Sequence, residues 1–198
     1  MDAVRSNPAT VPDKAAERVS FWPQSLAGWF FALTRIIIGY MWFNQTLWKL
    51  PPTFGCTANF AFTTDINRPT SGLCDFIGRQ ATYGAIEPYK AFLTGLVIPN
   101  IQLVGWGVYM MELAVAISLI FGILTRLGGL LGAIQGINLA IGFVGVPQEW
   151  IWTYIFLVLL NLMFVAVGAG RYLGVDHWLR QRVEGRAGLV ARFVRLTT

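Results

Sequence analysis

One apolar stretch of the chain reads Leu103-Val-Gly-Trp-Gly-Val-Tyr-Met-Met-Glu112-Leu-Ala-Val-Ala-Ile-Ser-Leu-Ile-Phe-Gly-Ile-Leu-Thr125-Arg126. Its length fits an α-helix that crosses a bilayer, which needs about 20 mostly apolar residues. Glu112 lies near the middle, where an unpaired carboxylate costs several kcal/mol. We therefore expect a basic partner elsewhere in the chain. Arg35 is the candidate, because no other Lys or Arg falls inside another apolar run.

The composition supports a membrane protein. The chain has 198 residues, of which 55% are hydrophobic and 13% charged, and its mean hydropathy is +0.56. Four apolar runs lie at about 24–48, 101–124, 127–146 and 150–167. We predict an all-α, polytopic membrane four-helix bundle at 24–170, preceded by a cytoplasmic N-terminal tail at 1–23 and followed by a basic cytoplasmic tail at 171–198.

The long connection at 51–100 is predicted to have structure of its own, because loops of that length in compact bundles are usually functional or partly folded. Residues 87–99 are apolar but too short to span, which indicates a re-entrant or interfacial helix. Cys56 and Cys74 both lie in this connection. A structural disulfide is the leading interpretation, and a redox-active pair or a sulfur-carrying thiol is the alternative.

The distribution of positive charge predicts the orientation. The formal net charge is +5, and most of the basic residues flank the apolar runs at the side of the two termini. By the positive-inside rule, both termini are cytoplasmic and the cysteine-containing loop is outside the cell membrane. This pattern favours contact with membrane lipids and gives no indication of nucleic-acid binding. The basic tail is expected to lie on the anionic inner leaflet, with docking to a partner subunit as the alternative.

Helix rise places four polar side chains at one depth. Arg35 lies roughly 16 Å and Glu112 roughly 18 Å from the predicted inner surface. Asn138 and Asn161 each lie about eleven residues into their own apolar runs. This polar layer either holds the helices together or forms a site for a polar headgroup or a proton.

The sequence offers few ligands for a bound redox centre. Its only histidine, His177, follows the last apolar run, and neither cysteine belongs to a CxxC motif. We therefore expect no haem, metal or iron–sulfur centre to be held by this chain. Redox work would need a diffusible quinone, sulfur chemistry at Cys56 or Cys74, or a cofactor on another subunit.

Three groups of residues carry a family resemblance. They are Arg35-Ile-Ile-Ile-Gly39 with Trp42, Asn44 and Trp48-Lys49; Glu112 with Gly122-Ile-Leu-Thr125-Arg126; and Gly168-Ala-Gly170-Arg171-Tyr-Leu-Gly174-Val-Asp176. Over about 25–180 the chain resembles the DoxX/DoxD family of four-helix membrane proteins. It looks closest to DoxD, the membrane subunit of thiosulfate:quinone oxidoreductase in prokaryotic cell (inner) membranes.

The resemblance implies oxidation of thiosulfate to tetrathionate, with electrons passed to membrane quinone. Arg35 and Glu112 would then bind or protonate the quinone head, as part of the polar layer with Asn138 and Asn161. Lys49 and Arg68 or Arg79 would attract the dianionic substrate, and Cys56 or Cys74 would form a thiosulfonate. A separate DoxA-like subunit would be required. The alternative is a non-catalytic accessory subunit of a larger respiratory or other energy-transducing complex; a transporter is less favoured, since no inverted repeat is visible.

Overall fold

The computed structural model describes residues 24–67 and 72–198, and within these ranges the chain is helical and has no strand. The predicted N-terminal tail at 1–23 lies outside the described residues. The helices are α1 (Gln24–Leu47), α2 (Leu73–Tyr83), α3 (Glu87–Phe92), α4 (Ile101–Phe121), α5 (Thr125–Phe143), α6 (Ile151–Val167), α7 (Val175–Val183) and α8 (Leu189–Thr197). A π-helical turn, Leu93–Val97, extends α3, and a 3₁₀ turn, Ala169–Arg171, follows α6.

The four predicted spans correspond to α1, α4, α5 and α6. Within the described residues, three helices are long and apolar enough to cross a membrane: Leu26–Leu47, Ile101–Phe121 and Thr125–Phe143. The fourth, α6, is apolar but has 17 residues, or about 25 Å of helix. The all-α prediction is confirmed, and the count of four spans stays a prediction.

The long helices pack in chain order, α1 against α4, α4 against α5, and α5 against α6. Glycines bring α5 and α6 together. A Cβ atom on Gly129 would lie 2.8 Å from the carbonyl oxygen of Asn161, and one on Gly136 would lie 2.9 Å from Val158. Membrane helices associate through such close contacts, because lipid supplies no hydrophobic force between them.

This packing gives the bundle two distinct ends. The disulfide end contains the end of α1, the start of α4, the end of α5 and the start of α6. The arginine end contains the opposite ends of these helices, together with α7 and α8. At the arginine end α4 and α6 both stop at left-handed glycines, Gly122 (φ 67°) and Gly168 (φ 59°), as helices commonly do.

The long connection folds over the disulfide end. Cys56 and Cys74 form a disulfide, so the leading interpretation of the cysteines is confirmed as regards the bond. The bond lies in a small apolar core with Phe54, Leu73, Ile77, Leu93 and Val97. Helix α3 and its π-helical turn fall within the predicted interfacial segment, whereas α2 was not predicted.

The basic tail forms two helices, α7 and α8. The break falls between α7 and α8, where Gly185 (φ 71°) and Gly188 (φ 132°) adopt conformations that other residues rarely reach. On α8 a row of large apolar side chains is exposed: Leu189, Val190, Phe193 and Leu196. Such an exposed row is typical of a helix that lies in a membrane interface.

Candidate functional site

Glu112 forms an ion pair with Lys49. Lys49 lies two residues beyond the end of α1, and both residues are almost completely buried, at 5% and 2% exposure. The expectation that Glu112 needs a basic partner is met, but the predicted partner, Arg35, is wrong. The long lysine side chain lets a residue outside the helix reach the middle of α4.

Packing of the neighbouring residues fixes Lys49 in place. The ring of Trp48 stacks on Phe76 of α2, with centroids 4.9 Å apart, and the Lys49 ammonium lies 4.5 Å from the Trp48 ring centroid. The backbone N–H of Lys49 also donates to the carbonyl oxygen of Thr46. The chain after α1 thus turns inward over the bundle, and the ammonium group of Lys49 reaches Glu112.

The ion pair continues into a chain of hydrogen bonds. Gln135 Nε2 donates to Glu112 Oε1 at 3.5 Å, and Asn138 Nδ2 donates to Gln135 Oε1 at 3.4 Å. The hydroxyl of Tyr89, on α3, donates to Asn138 Oδ1 at 2.9 Å. We call Lys49, Glu112, Gln135, Asn138 and Tyr89 the interior polar cluster.

Burial decreases along the interior polar cluster. Glu112 and Gln135 are 2% and 4% exposed, whereas Asn138 and Tyr89 are only half-buried. Burial raises the pKa of the Tyr89 phenol above its usual value. An ordinary phenol is already protonated at neutral pH, so the Tyr89 hydroxyl is a hydrogen-bond donor there. The cluster therefore connects a buried carboxylate to the surface of the bundle through groups that donate and accept hydrogen bonds.

In the described part of the chain, Trp42 Nε1 and Asn161 Oδ1 are buried polar atoms without a hydrogen-bond partner. Trp42 packs in a core with Val115. Asn161 also lies near Val115, because a Cβ atom on Gly132 would meet both residues. One unpaired donor and one unpaired acceptor thus lie in or beside the apolar core that contains Val115, which is three residues from Glu112 on α4. Buried polar atoms are normally paired, so each suggests a missing partner.

Arg35 lies at a different depth from Glu112. It is fully buried, and its guanidinium donates to the carbonyl oxygen of Leu119 and, at 3.0 Å, to that of Leu173. Leu119 is seven residues, or about 10 Å along α4, from Glu112. The prediction of one layer containing both charges is wrong, because Arg35 binds the unpaired carbonyls at the C-terminal end of α4, where a cation is favoured.

Asp176 explains two of the sequence motifs. Its carboxylate accepts hydrogen bonds from the backbone N–H groups of Leu124 (2.6 Å) and Thr125 (2.9 Å), at the start of α5. Its own N–H donates to the carbonyl oxygen of Gly122 at 2.9 Å. A Cβ atom on Gly170 would lie 2.2 Å from this carboxylate. The motifs around Thr125 and Asp176 therefore join the ends of the helices.

The residues predicted to attract substrate lie in different settings. Lys49 is paired with Glu112, and Arg68 lies outside the described residues. Arg79 is buried on α2 and donates to the carbonyl oxygen of Asp65 at 3.0 Å. Cys74 is buried and Cys56 half-buried. Within the described ranges, no group of three or more His, Cys, Asp and Glu residues could hold a metal ion.

The sequence interpretation missed Gln135 and Tyr89. Gln135 lies three residues before Asn138, so the two share a helix face, and this spacing in an apolar run was a usable signal. Tyr89 offered no comparable signal, because its contact with Asn138 joins α3 to α5 across 49 residues of sequence.

A family model described as "TQO small subunit DoxD" matches residues 63–192. The chain belongs to the DoxD family. This match confirms the family resemblance and covers well over half of the chain, although it begins after α1, Arg35 and Lys49. Four members of the interior polar cluster in this DoxD protein lie inside the match. A search of curated proteins and a search of solved structures each found no match.

Proposed function

We propose that this DoxD protein is the membrane subunit of a thiosulfate:quinone oxidoreductase, and that its interior polar cluster binds the quinone head. The ion pair between Lys49 and Glu112 carries the proposal. Charged groups inside a membrane bundle are costly and are typically associated with ion paths or proton relays. The family match supports the same reaction class.

The residues present fit a quinone. Its two carbonyl oxygens accept hydrogen bonds, and the site offers Lys49, Gln135 and the unpaired Trp42 Nε1 as donors. Val115, one helical turn from Glu112 on α4, and Phe164 of the same core supply apolar surface. A bound quinone would supply the electron acceptor, taking up two electrons and two protons per turnover.

The chain's own residues would deliver these protons. Glu112 holds the ammonium of Lys49 next to the head site, and either group can hold a proton at its Oε2 or Nζ atom. Gln135 orients the carboxylate through Oε1. Asn138 and Tyr89 extend the path to the half-buried edge of the bundle. The amides of Gln135 and Asn138 do not carry protons themselves; they hold the carboxylate in place, so that Glu112 and Lys49 are the groups that give up and take back a proton.

We propose that the Cys56–Cys74 disulfide is the site of thiosulfate oxidation. One thiosulfate attacks the bond at the half-buried Cys56, which forms a thiosulfonate and releases Cys74 as a thiolate. A second thiosulfate attacks the sulfane sulfur that is bonded to Cys56 Sγ; this bond breaks, tetrathionate leaves and Cys56 becomes a thiolate. The two thiolates then give two electrons to quinone and re-form the disulfide. Arg79, five residues after Cys74 in the sequence, and Arg68, six residues before it, would supply the positive charge that attracts thiosulfate.

We further propose an orientation of the chain in the membrane and a docking site for a partner subunit. In the described residues, the arginine end contains Arg126, Arg171, Arg180, Arg182, Arg186, Arg192 and Arg195, opposed by Asp176 and Glu184. The positive-inside rule supports placing this end in the cytoplasm and the disulfide end outside, where a disulfide is stable. A DoxA-like subunit would dock at the disulfide end and complete the thiosulfate site.

The test is thiosulfate-dependent reduction of a soluble quinone analogue by proteoliposomes that contain the chain and a DoxA-like partner. Glu112→Gln and Lys49→Gln are expected to lose at least tenfold in turnover at matched abundance. Lys90→Gln is the control, because Lys90 is a lysine paired with an exposed Glu87 outside the cluster, and it is expected to keep wild-type turnover.

A second comparison separates the two chemical steps. Cys56→Ser with Cys74→Ser is expected to abolish thiosulfate oxidation while quinone still binds. Unchanged turnover in that double variant would show that the disulfide has only a structural role. No thiosulfate-dependent reduction by the wild type with its partner would contradict the enzyme proposal and favour an accessory subunit.

A further inference from the structure

The arginine end contains a cleft that the proposed function does not use. Its volume is about 240 Å³, and it is lined by Arg171, His177, Arg180, Gln181, Glu184 and Arg195. Sites for drug-sized ligands occupy about 300–1,000 Å³. The cleft is therefore suited to a small charged group instead of a whole cofactor or a peptide.

Two of the arginines are fixed before any ligand arrives. Arg180 donates through Nε to Thr198 Oγ1 at 2.9 Å and through Nη2 to the carbonyl oxygen of Arg195 at 3.0 Å. Arg195 donates through Nη1 to the carbonyl oxygen of Arg186 at 3.1 Å. These bonds hold α7 and α8 together, so the guanidinium groups need little further ordering when an anion binds.

The cleft has an excess of positive charge. Three arginines line it against the single carboxylate of Glu184. The pKa of Arg180 is lowered, first by burial and then by the positive charges of Arg171 and Arg126. The Nε atoms of Arg171 and Arg126 are buried and have no hydrogen-bond partner among the described residues. Unpaired, partly buried guanidinium groups beside one another are stabilised by an anion.

We propose that this cleft binds the phosphate group of an anionic phospholipid. Guanidinium groups match phosphate oxygens with two parallel hydrogen bonds. Exposed apolar side chains lie at the same end of the bundle, namely Leu173, Trp178 and the row on α8. Inorganic phosphate shares the headgroup's chemistry but would gain nothing from apolar contacts of this kind. The occupant would anchor α7 and α8 to the membrane.

The test measures thermal stabilisation of the purified full chain by added phospholipid in detergent. The ligands are phosphatidylglycerol, phosphatidylcholine and inorganic phosphate at equal concentration. Arg171→Gln removes a guanidinium from the cleft. Arg192→Gln is the matched control, because it removes an exposed arginine of α8 that does not line the cleft. Neither residue belongs to the interior polar cluster, so the result is independent of the proposed enzyme activity.

We expect phosphatidylglycerol to stabilise the wild type and Arg192→Gln alike, with at least tenfold weaker apparent affinity for Arg171→Gln. If Arg171→Gln does not accumulate, Arg171→Lys replaces it, since lysine keeps the charge and loses the fork geometry; about tenfold weakening is again expected. Equal weakening in Arg171→Gln and Arg192→Gln would overturn the proposal in favour of diffuse surface attraction. Full stabilisation by inorganic phosphate alone would overturn the assignment to a lipid.

Discussion

Lys49 and Glu112 form a buried ion pair between the end of α1 and the middle of α4. The pair connects the first long helix to the second at a depth where neither charge is stable alone. Because Gln135 bonds to the same carboxylate, α5 is joined to the pair as well. One contact thus contributes to the structure of three helices and provides the charged groups that the quinone proposal needs.

Neutralising one partner of this pair is expected to destabilise the protein more than neutralising both. Lys49→Gln or Glu112→Gln alone leaves a buried, unpaired charge, which costs about 3–5 kcal/mol. The double variant leaves two neutral amides that can bond to each other. We expect its melting temperature in detergent to lie above that of either single variant. A double variant less stable than both single variants would contradict the pairing.

Arg35 is expected to stabilise the fold without taking part in the reaction. Arg35→Gln removes the donors to the carbonyl oxygens of Leu119 and Leu173, which costs about 1–3 kcal/mol for buried acceptors left unpaired. The variant should melt at a lower temperature and keep wild-type turnover per folded molecule. Arg192→Gln, which removes an exposed arginine, controls for the change of net charge. Loss of turnover at unchanged stability would contradict this and indicate that Arg35 takes part in quinone binding.

Asp176 is expected to stabilise the start of α5. The other acidic residue on α7, α8 and the segment between them, Glu184, is not. Asp176→Ala leaves the N–H groups of Leu124 and Thr125 without their acceptor, and loss of a helix N-terminal acceptor costs about 0.5–2 kcal/mol. Glu184→Ala is the matched control, since Glu184 is exposed. Hydrogen exchange should show faster exchange in the first turn of α5 for Asp176→Ala alone. Equal exchange in the two variants would refute this role.

The α5–α6 contact is expected to tolerate no side chain at Gly132. A Cβ atom there would lie 2.2 Å from Asn161 Oδ1, so Gly132→Ala must move a buried side chain, at a cost of about 1–3 kcal/mol. Gly107→Ala is the control, because no atom lies within 4 Å of the added Cβ. Thermal unfolding should separate the two variants, and similar melting temperatures would show that α5 and α6 are less tightly packed than described.

The bundle could be predicted from the sequence because hydropathy and helix length report directly on membrane helices. The apolar runs coincide with α1, α4, α5 and α6 to within a few residues. Helix α2 was missed because Leu73–Tyr83 is a mixed segment whose buried face includes Asp75, Arg79 and Gln80. Its helical conformation depends on packing against the disulfide core, which a local pattern does not reveal.

The site was predicted less well, because depth was counted from the helix ends. That count placed Arg35 level with Glu112, but α1 is displaced along α4 so that Arg35 reaches Leu119. The same displacement brings Lys49, at the far end of α1, to Glu112. Relative shifts between helices come from contacts such as that of Gly39 with Leu119 and Ile120. Such contacts between distant residues could not be predicted from the sequence pattern alone.

Photolabelling with a quinone analogue shows directly whether quinone binds at the interior polar cluster, as we propose. Proteoliposomes containing the wild-type chain are irradiated with an azidoquinone, with and without excess unlabelled quinone, and the labelled peptides are mapped. We expect competed labelling within 42–49 and 109–116, around Trp42, Lys49 and Glu112, and its loss in Glu112→Gln. Competed labelling confined to the apolar groove that α1 forms with Leu173, lined by Trp29, Phe30 and Leu33, would contradict the claim.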